Sequence, residues 1–268
     1  MADIDREKAH VARVYDAMLG GYSHFEIDRR VAEAAAAASG GMEAVRYSTR
    51  SNRAFLGRAV RWLVDDGVRQ FLDLGSGLPV EDNVHQVAQR MAPECRVLYV
   101  DFDPVVLAHA TTMIESTEDG TAEFIVADMR EPEMILAEAA QTLDFTRPIA
   151  LLLFTILHNV LDSDDPARLV ARYLDAVPSG SYLAISHLTG DFNPVEMAKG
   201  KEVLDEQMAE SFILRSYDEI LGFFTGTELV DPGLVHINEW HPDLPPQPPE
   251  RPGISHVAPI YGGVGQKP

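Results

Sequence analysis

The chain has 268 residues, 46% of them hydrophobic, so it can bury a large core as one sizeable domain. Its 42 acidic and 22 basic residues give a formal net charge of −20, which disfavours nucleic acid as a partner because most of the surface would repel a polyanion. No apolar stretch approaches the roughly 18 residues of a membrane span, and the amino terminus lacks the apolar run of a signal peptide. The single cysteine, Cys95, cannot form an internal disulfide, which favours a reducing compartment. We therefore expect a soluble, cytoplasmic protein that does not bind membranes.

The first 66 residues predict helices and no strands. Residues 5–20, 26–38 and 52–67 have the apolar spacing of helices, and glycines follow or end each of them. Five arginines recur at roughly helical spacing and are interpreted as one solvated helix face: Arg46, Arg50, Arg53, Arg58 and Arg61. We expect residues 1–66 to form a helical cover at the amino terminus.

Apolar runs of strand length alternate with helical segments after residue 66. These runs occupy residues 71–74, 97–100, 124–126, 149–154 and 182–186. Strands that alternate with helices predict a parallel sheet with helices on both faces, which is an α/β, doubly wound fold.

The carboxyl-terminal part departs from this alternation. The segment TELVDPGLVHINEW, residues 227–240, predicts two strands joined in a hairpin through its Asp-Pro-Gly sequence. Residues 242–252 contain six prolines, which predict an extended surface segment. We therefore predict a single domain over residues 1–268, with a core over 67–240 and a proline-rich extension over 241–268.

The stretch FLDLGSGLPV, residues 71–80, reads as a buried strand followed by Gly75 and Gly77. In an open α/β sheet such a loop lies at the carboxyl edge, where ligands bind. The glycines would let a ligand approach bare backbone, and a helix that starts near residues 81–84 would point amide hydrogens toward it. Glycines also form ordinary tight turns, so the loop alone does not establish a binding site.

Acidic residues follow the next two predicted strands. Asp101 ends the strand in RVLYVDFDP, and Asp128 follows the strand in FIVADMR. Because parallel strands end at the same edge, both carboxylates would lie beside the glycine loop. An acid after the second strand accepts hydrogen bonds from a ribose in nucleotide-binding sheets. The sequence therefore predicts an adenosine-containing ligand.

The residue at position 80 distinguishes between two adenosine cofactors. A dinucleotide-binding loop has a third glycine there, which permits close helix packing beneath a pyrophosphate. Leu78, Pro79 and Val80 fill that space here. This disfavours an NAD-dependent oxidoreductase, which remains the alternative enzyme class.

At these positions the sequence resembles the class I S-adenosylmethionine-dependent methyltransferases, over about residues 65–240. Their first motif, acid-x-Gly-x-Gly, corresponds to Asp73, Gly75, Ser76 and Gly77 with Leu74 between the first two. The resemblance implies a sheet of seven mostly parallel strands in the order 3-2-1-4-5-7-6, in which strand 7 is antiparallel.

The resemblance also implies S-adenosyl-L-methionine as the cofactor and S-adenosyl-L-homocysteine as the product. In that family the acid that ends the second strand holds the ribose hydroxyls, which implies this role for Asp101, and Phe102 would pack on the adenine. Asp128 would meet the adenine amine, with Met129 beside it. Phe154, at the end of the fourth strand, is assigned to the same cofactor site.

A narrower resemblance covers nearly the whole chain. The segments VARVYDAMLGGYSHFEIDRR, NRAFLGRAVRWL and YGGVG are similar to an actinobacterial group of methyltransferase-like proteins known as a domain of unknown function. The likeness implies that the amino-terminal helices close over the cofactor, with Tyr15, Asn52 and Arg53 near its methionine end. An arginine or asparagine would suit the methionine carboxylate, which needs a charged or multidentate donor. The alternative for each is an ordinary polar residue on a helix surface.

The fourth predicted strand leads into the best candidate for chemistry. The run from Ile149 to Leu157 is apolar and is followed by His158 and Asn159. This stretch resembles the ILHDW sequence of small-molecule O-methyltransferases, in which the histidine is the general base. An imidazole titrates near pH ~6.5 and suits proton removal from a hydroxyl. Asn159 stands where that pattern has an aspartate, so a histidine that only packs or caps remains the alternative.

These patterns predict an S-adenosylmethionine-dependent methyltransferase that transfers a methyl group in line to the oxygen or nitrogen of a small molecule. A protein that binds the cofactor without catalysis is the alternative. The nine histidines have no metal-binding spacing, so no metal site is expected. The methyl acceptor and the oligomeric state do not follow from the sequence.

Overall fold

The computed structural model describes residues 6–113, 115–208, 211–250 and 257–268, with residues 110–113 described by their backbone alone. The last two residues of the predicted proline-rich segment, 251 and 252, lie outside these ranges. No helix within them is both long and apolar enough to span a membrane.

Helices and strands alternate as the sequence predicts. The helices are α1 (Val11–Leu19), α2 (Glu26–Ala38), α3 (Met42–Asp65), α4 (Val84–Met91), α5 (Pro104–Met113), α6 (Pro132–Ala139), α7 (Pro166–Ala176), α8 (Pro194–Gln207) and α9 (Tyr217–Gly222). The strands are β1 (Gln70–Leu74), β2 (Arg96–Asp101), β3 (Thr121–Val126), β4 (Ala150–Phe154), β5 (Tyr182–Leu188), β6 (Glu228–Leu229), β7 (Val235–His236) and β8 (Ile260–Gln266).

One sheet of eight strands organises the molecule, in the order β3-β2-β1-β4-β5-β8-β6, with β7 also paired to β8. Strands β1 to β5 pair in parallel, whereas β8 is antiparallel to β5. The predicted α/β architecture is confirmed, including the antiparallel strand inserted next to the fifth strand.

The predicted hairpin over residues 227–240 is wrong. Its two segments form β6 and β7, which have two residues each and pair with β8 rather than with each other. The antiparallel strand is β8, which comes from the part of the chain predicted to be a proline-rich extension. Its YGGVG sequence has few strand-forming residues, but a Cβ at Gly262 would lie 2.8 Å from the side chains of Phe55 and Ile237. The glycines allow close packing here, which strand propensity cannot indicate.

Apolar side chains from alternate strand positions build a core on each face of the sheet. Phe71 faces a core that includes Phe55 and Leu63 of α3, whereas its neighbour Leu72 faces a core that includes Val170 of α7. Helix α3 is therefore both part of the amino-terminal region and one of the helices that cover the sheet.

Helices α1 and α2 form a smaller apolar cluster with residues near the end of α8, including Val14, Val31 and Met208. A further cluster joins Ala12 of α1 to Leu78 and to Val106 of α5. This contact places α1 against the glycine loop that follows β1.

The interpretation of five arginines as one solvated face is wrong for Arg58, which is fully buried on α3. Its guanidinium donates hydrogen bonds to the backbone oxygens of Ile237 at 2.6 Å, Trp240 at 2.9 Å and Pro246 at 3.0 Å. Burial lowers the pKa of Arg58 to about 10, so the side chain remains charged at neutral pH. Arg58 therefore fixes residues 237–246 against α3, which helical spacing alone cannot reveal.

We expect Arg58→Met to reduce the free energy of unfolding by about 3 kcal/mol or more, because it leaves buried carbonyl oxygens without donors. Denaturant unfolding would measure the loss. Arg50→Met, at an exposed position of the same helix, is the control and should change stability by no more than about 0.5 kcal/mol. Equal losses in the two variants would contradict this account.

Candidate functional site

The loop after β1 is fixed by backbone bonds to β2. Leu74 pairs with Val100, and the backbone oxygen of Val100 accepts hydrogen bonds from the N–H groups of Gly75 at 2.8 Å and Ser76 at 3.1 Å. The N–H of Gly77 donates to the Asp101 carboxylate at 2.8 Å. The three loop amides are thus used within the protein.

Both loop glycines have a left-handed backbone, with φ of +76° at Gly75 and +67° at Gly77, but their surroundings differ. A Cβ at Gly75 would lie 2.3 Å from the side chain of Ile156, so this position is packed tightly against the segment after β4. A Cβ at Gly77 would meet no atom within 4 Å. A ligand can therefore approach the backbone at Gly77.

Several amides around the start of the next helix are used within the protein. Helix α4 begins at Val84, within the predicted range, and the N–H of His85 in its first turn donates to the Tyr99 hydroxyl at 2.8 Å. The Asn83 side chain accepts a hydrogen bond from Val80 N–H, and the Gln86 side chain accepts one from Asn83 N–H. Because the amides of Gly75, Ser76, Gly77 and His85 already have partners, this geometry disfavours a dinucleotide pyrophosphate.

Asp101 lies at the end of β2 and is buried. Burial raises the pKa of Asp101, although backbone N–H groups of Asp103 and Gly77 oppose the rise. A carboxylate has about four acceptor positions. The two backbone bonds, from Gly77 and Asp103, leave capacity for further donors such as hydroxyl groups.

The next residue, Phe102, has an exposed aromatic side chain at the same edge. It is 42% exposed, and its ring packs against His10 with 4.8 Å between the centroids. The ring can therefore accept a planar group.

The two site residues predicted after β3 differ in accessibility. Asp128 is partly exposed and is held by Arg130, whose Nε lies 2.9 Å and 3.0 Å from the two carboxylate oxygens. Burial alone would raise the pKa of Asp128, but hydrogen bonds and the charge of Arg130 hold it below its usual value. Met129 is buried, and its backbone oxygen accepts a hydrogen bond from Tyr173.

A small cavity adjoins the glycine loop. It is lined by Arg53, Asp73, Ser76, Gly77, Pro79, Asn83, Val84, Tyr99 and Phe124. Burial raises the pKa of Asp73 to about 7, opposed by the charge of Arg53 and increased by Asp101. Arg53 donates to the backbone oxygen of Asp82 at 2.8 Å through one terminal nitrogen. The cavity thus combines a guanidinium, a carboxylate and exposed glycine backbone.

Asn52 and Tyr15 belong to a buried network beside this cavity. The amide nitrogen of Asn52 donates to the hydroxyls of Tyr15 and Thr155, each at 3.1 Å, and its oxygen accepts from Ser186 at 2.7 Å. Asn52 therefore joins α1 and α3 to the ends of β4 and β5, and both of its amide hydrogens are used. Phe154, at the end of β4, packs edge-on against Phe55.

His158 lies in a short 3-10 turn, Leu157–Asn159, two residues after Ile156. Its side chain is buried, its Nδ1 has no hydrogen-bond partner among the described residues, and its ring stacks on Phe212 at 5.3 Å. Burial lowers the pKa of His158 well below its usual value, and His187 and Arg215 lower it further. The imidazole is therefore uncharged at neutral pH.

A larger cavity of about 460 Å³ lies at the opposite, amino edge of the sheet. It is lined by arginines and acidic residues in similar number, of which Arg69 and Glu94 pair at 2.7 Å. Among the described residues, no group of three or more acidic, histidine or cysteine side chains could hold a metal ion. The carboxyl edge is the better candidate, because the glycine loop and the sheet-end carboxylates meet there.

The structure brings together most of the residues that the sequence singled out. Arg53, Asp73, Ser76 and Gly77 share one cavity, and Asp101 binds its glycine backbone. Other residues at this edge were not predicted, namely Tyr99, Thr155, Ser186, His187 and Arg215. These residues do not belong to a recognisable sequence motif. Strand pairing and contacts between distant parts of the chain bring them to this edge.

The chain matches a protein family and two solved structures along nearly its whole length. A model of the S-adenosyl methyltransferase family matches residues 1–268. A DUF574 family protein from Streptomyces avermitilis is 40% identical, with 99% of this chain and 100% of that chain covered and a TM-score of 0.91. A protein from Thermobifida fusca is 38% identical, with 97% and 95% covered and a TM-score of 0.85.

A more distant structure has the same fold. It is an S-adenosylmethionine-dependent methyltransferase from Anabaena variabilis, 12% identical, with 100% of this chain and 99% of that chain covered and a TM-score of 0.53. No curated protein matches the chain. The whole-chain family match agrees with the glycine loop, the sheet-end carboxylates and the strand order: the chain belongs to the S-adenosyl methyltransferase family and is an S-adenosylmethionine-dependent methyltransferase.

Proposed function

We propose that the protein methylates an oxygen or nitrogen of a small molecule that binds at the carboxyl edge of the sheet beside His158. One observation carries the proposal: Ile156 packs directly on Gly75, so the segment that bears His158 adjoins the glycine loop. His158 is buried and its ring stacks on Phe212, which disfavours a bulky polymer as the acceptor. The net charge of −20 also disfavours a nucleic acid acceptor.

The residues at the edge fit the cofactor. Asp101 has acceptor capacity left for ribose hydroxyls, and the exposed ring of Phe102 suits an adenine. Arg53 uses one nitrogen for its backbone bonds, so the rest of its guanidinium can bind a carboxylate. A cationic amino group beside Asp73 would keep that buried carboxylate charged.

Other predicted contacts have different roles in this proposal. Asp128 and Met129 would border the adenine, with Arg130 competing for the Asp128 carboxylate. Asn52 has used its donors, so with Tyr15 it would support the methionine end through the wall of the site. Phe154 would be part of the same wall.

When bound, S-adenosylmethionine would supply a methyl group carried on a cationic sulfur, and the sulfur would leave as a neutral thioether as the acceptor attacks the methyl carbon in line. His158 would accept the proton of the attacking hydroxyl or amine as the new bond to carbon forms. The imidazole is uncharged and ready to accept a proton, but burial and Arg215 make it a weak base. Such a weak base suits an acidic acceptor, whose proton is easily removed. It suits an aliphatic alcohol less well.

We expect S-adenosylhomocysteine to raise the melting temperature, because a ligand that binds only the folded state stabilises it, and NAD to leave the temperature unchanged. Asp101→Ala should weaken S-adenosylhomocysteine binding by about 1–3 kcal/mol, since donors on the ligand lose their acceptor. Calorimetry would measure both, with Asp119→Ala at the amino edge as the control. Binding of NAD without S-adenosylhomocysteine would refute the proposal.

Gly77→Ala should lose S-adenosylhomocysteine affinity, because its methyl group would project into the open space beside the loop. Gly67→Ala is a matched control: Gly67 also has positive φ, at +95°, and a Cβ there also meets no atom within 4 Å. Each substitution should cost about 1 kcal/mol or more of stability from left-handed backbone strain. Unfolding and calorimetry on both variants would separate strain from binding, and equal affinities would show that no ligand approaches Gly77.

His158→Ala should retain S-adenosylhomocysteine affinity and reduce methyl transfer about 10²–10⁴-fold, the usual contribution of a general base. An acceptor can be found by screening small phenols, acids and amines for incorporation of a labelled methyl group. If His158 only packs, the variant should melt at a lower temperature and keep its rate per folded molecule. Melting temperature and rate measured on the same preparation distinguish these outcomes.

A further inference from the structure

Arg215 holds the segment that bears His158 from both sides. The Arg215 side chain is buried, and its guanidinium donates to the backbone oxygens of Leu157 and Val160, each at 2.9 Å. The N–H of Ile213 donates to the oxygen of His158 itself at 2.8 Å. Residues 213–215 therefore fix the backbone before, at and after His158.

Arg215 pairs with a carboxylate on one side only. That partner is Asp162, at 2.6 Å, whose side chain is 74% exposed to solvent. The guanidinium also lies over the ring of Phe223, at 5.3 Å from the centroid. The charge of Arg215 also acts on the buried imidazoles beside it, where it lowers the pKa of His158 and of His187 in addition to the effect of burial.

The hydrogen bonds of His187, on β5, define its protonation state. Its Nδ1 lies 2.7 Å from the backbone oxygen of Leu188, and its Nε2 lies 3.0 Å from a guanidinium nitrogen of Arg215. A carbonyl oxygen can only accept and a guanidinium can only donate. His187 therefore carries its hydrogen on Nδ1, accepts at Nε2 and is uncharged.

The rings of His187 and His158 meet edge to face, with 5.7 Å between their centroids. Phe212 covers His158 by stacking. The charged and titratable groups around this pair are Arg215, Asp162 and Glu219, of which Asp162 already pairs with Arg215. A proton on His158 would thus add a second buried positive charge without a carboxylate against it.

We propose that Arg215, acting with His187, is the positioning residue of the acceptor site: it clamps the 157–162 segment and keeps His158 uncharged, so that His158 faces the acceptor as a proton acceptor. This role rests on the proposed function of His158. The clamp and the charge are separable, because a lysine retains the charge without the branched geometry and a glutamine removes the charge.

The test follows the protonation of individual histidines by NMR in the full-length protein, with the His158 signal assigned by its loss in His158→Gln. In the wild type we expect the titration midpoint of His158 to lie well below that of an ordinary histidine, because the ring is buried beside Arg215. In Arg215→Gln its midpoint should rise by about one pH unit or more, because a nearby like charge has been removed. In Arg215→Lys the midpoint should stay low.

Arg58→Gln is the matched control, because Arg58 is also a buried arginine that binds backbone oxygens but belongs to another part of the structure. It should destabilise the fold and leave the His158 midpoint unchanged. If Arg215→Gln does not fold, the wild-type titration still tests the role of Arg215. Protonation of His158 near pH ~6.5, the ordinary value for histidine, would overturn the proposal. An unchanged midpoint in folded Arg215→Gln would also overturn it.

Titration of the wild type with S-adenosylhomocysteine separates this inference from the proposed function. Absence of binding would refute the proposed cofactor site while the histidine titration still reports on Arg215. Binding together with an ordinary His158 midpoint would instead refute only the role of Arg215. Once an acceptor is known, the acidic limb of the pH–rate profile should move to higher pH in Arg215→Gln and not in Arg58→Gln.

Discussion

The hydrogen bond from Gly77 N–H to the Asp101 carboxylate is the interaction on which the geometry of the candidate site depends. It joins the loop after β1 to the end of β2, and the parallel register that pairs Leu74 with Val100 brings the two together. With the bonds from Gly75 and Ser76 to Val100, it uses the loop amides internally and leaves the open side of Gly77 for a ligand. The same loop therefore suits an S-adenosyl cofactor and not a pyrophosphate.

Buried polar side chains hold the chain segments that surround this edge. Asn52 joins two helices to the ends of two strands, Arg58 fixes the segment before β8, and Arg215 fixes the turn that contains His158. Each forms hydrogen bonds with groups from several parts of the chain at once, which satisfies the buried side chain and joins those parts. Removing one of them would disturb elements that are distant in sequence.

Several features could be predicted because they depend on local chemistry. The bounds of α2, the alternation of strands with helices, and the acid-x-Gly-x-Gly loop with Asp101 after the next strand all follow from short-range patterns. The hairpin failed because β6 and β7 have two residues each, and what pairs them is a glycine-containing strand far along the chain. The solvated arginine face failed because helical spacing gives the side of the helix that a residue occupies and not what packs against it.

The sequence by itself determined the α/β class, and it indicated the carboxyl edge as the candidate site with residue types that suit an adenosine cofactor, because these follow from periodicity and from residues close together in the chain. Only the tertiary structure decided which side chains surround His158 and what charge it carries. Arg215 and His187 lie 57 and 29 positions away from it in the chain. Burial and the charge of Arg215 keep His158 uncharged, and its own hydrogen bonds fix the protonation of His187. Proton affinity depends on the local dielectric and on neighbouring charges, which are properties of the packed molecule.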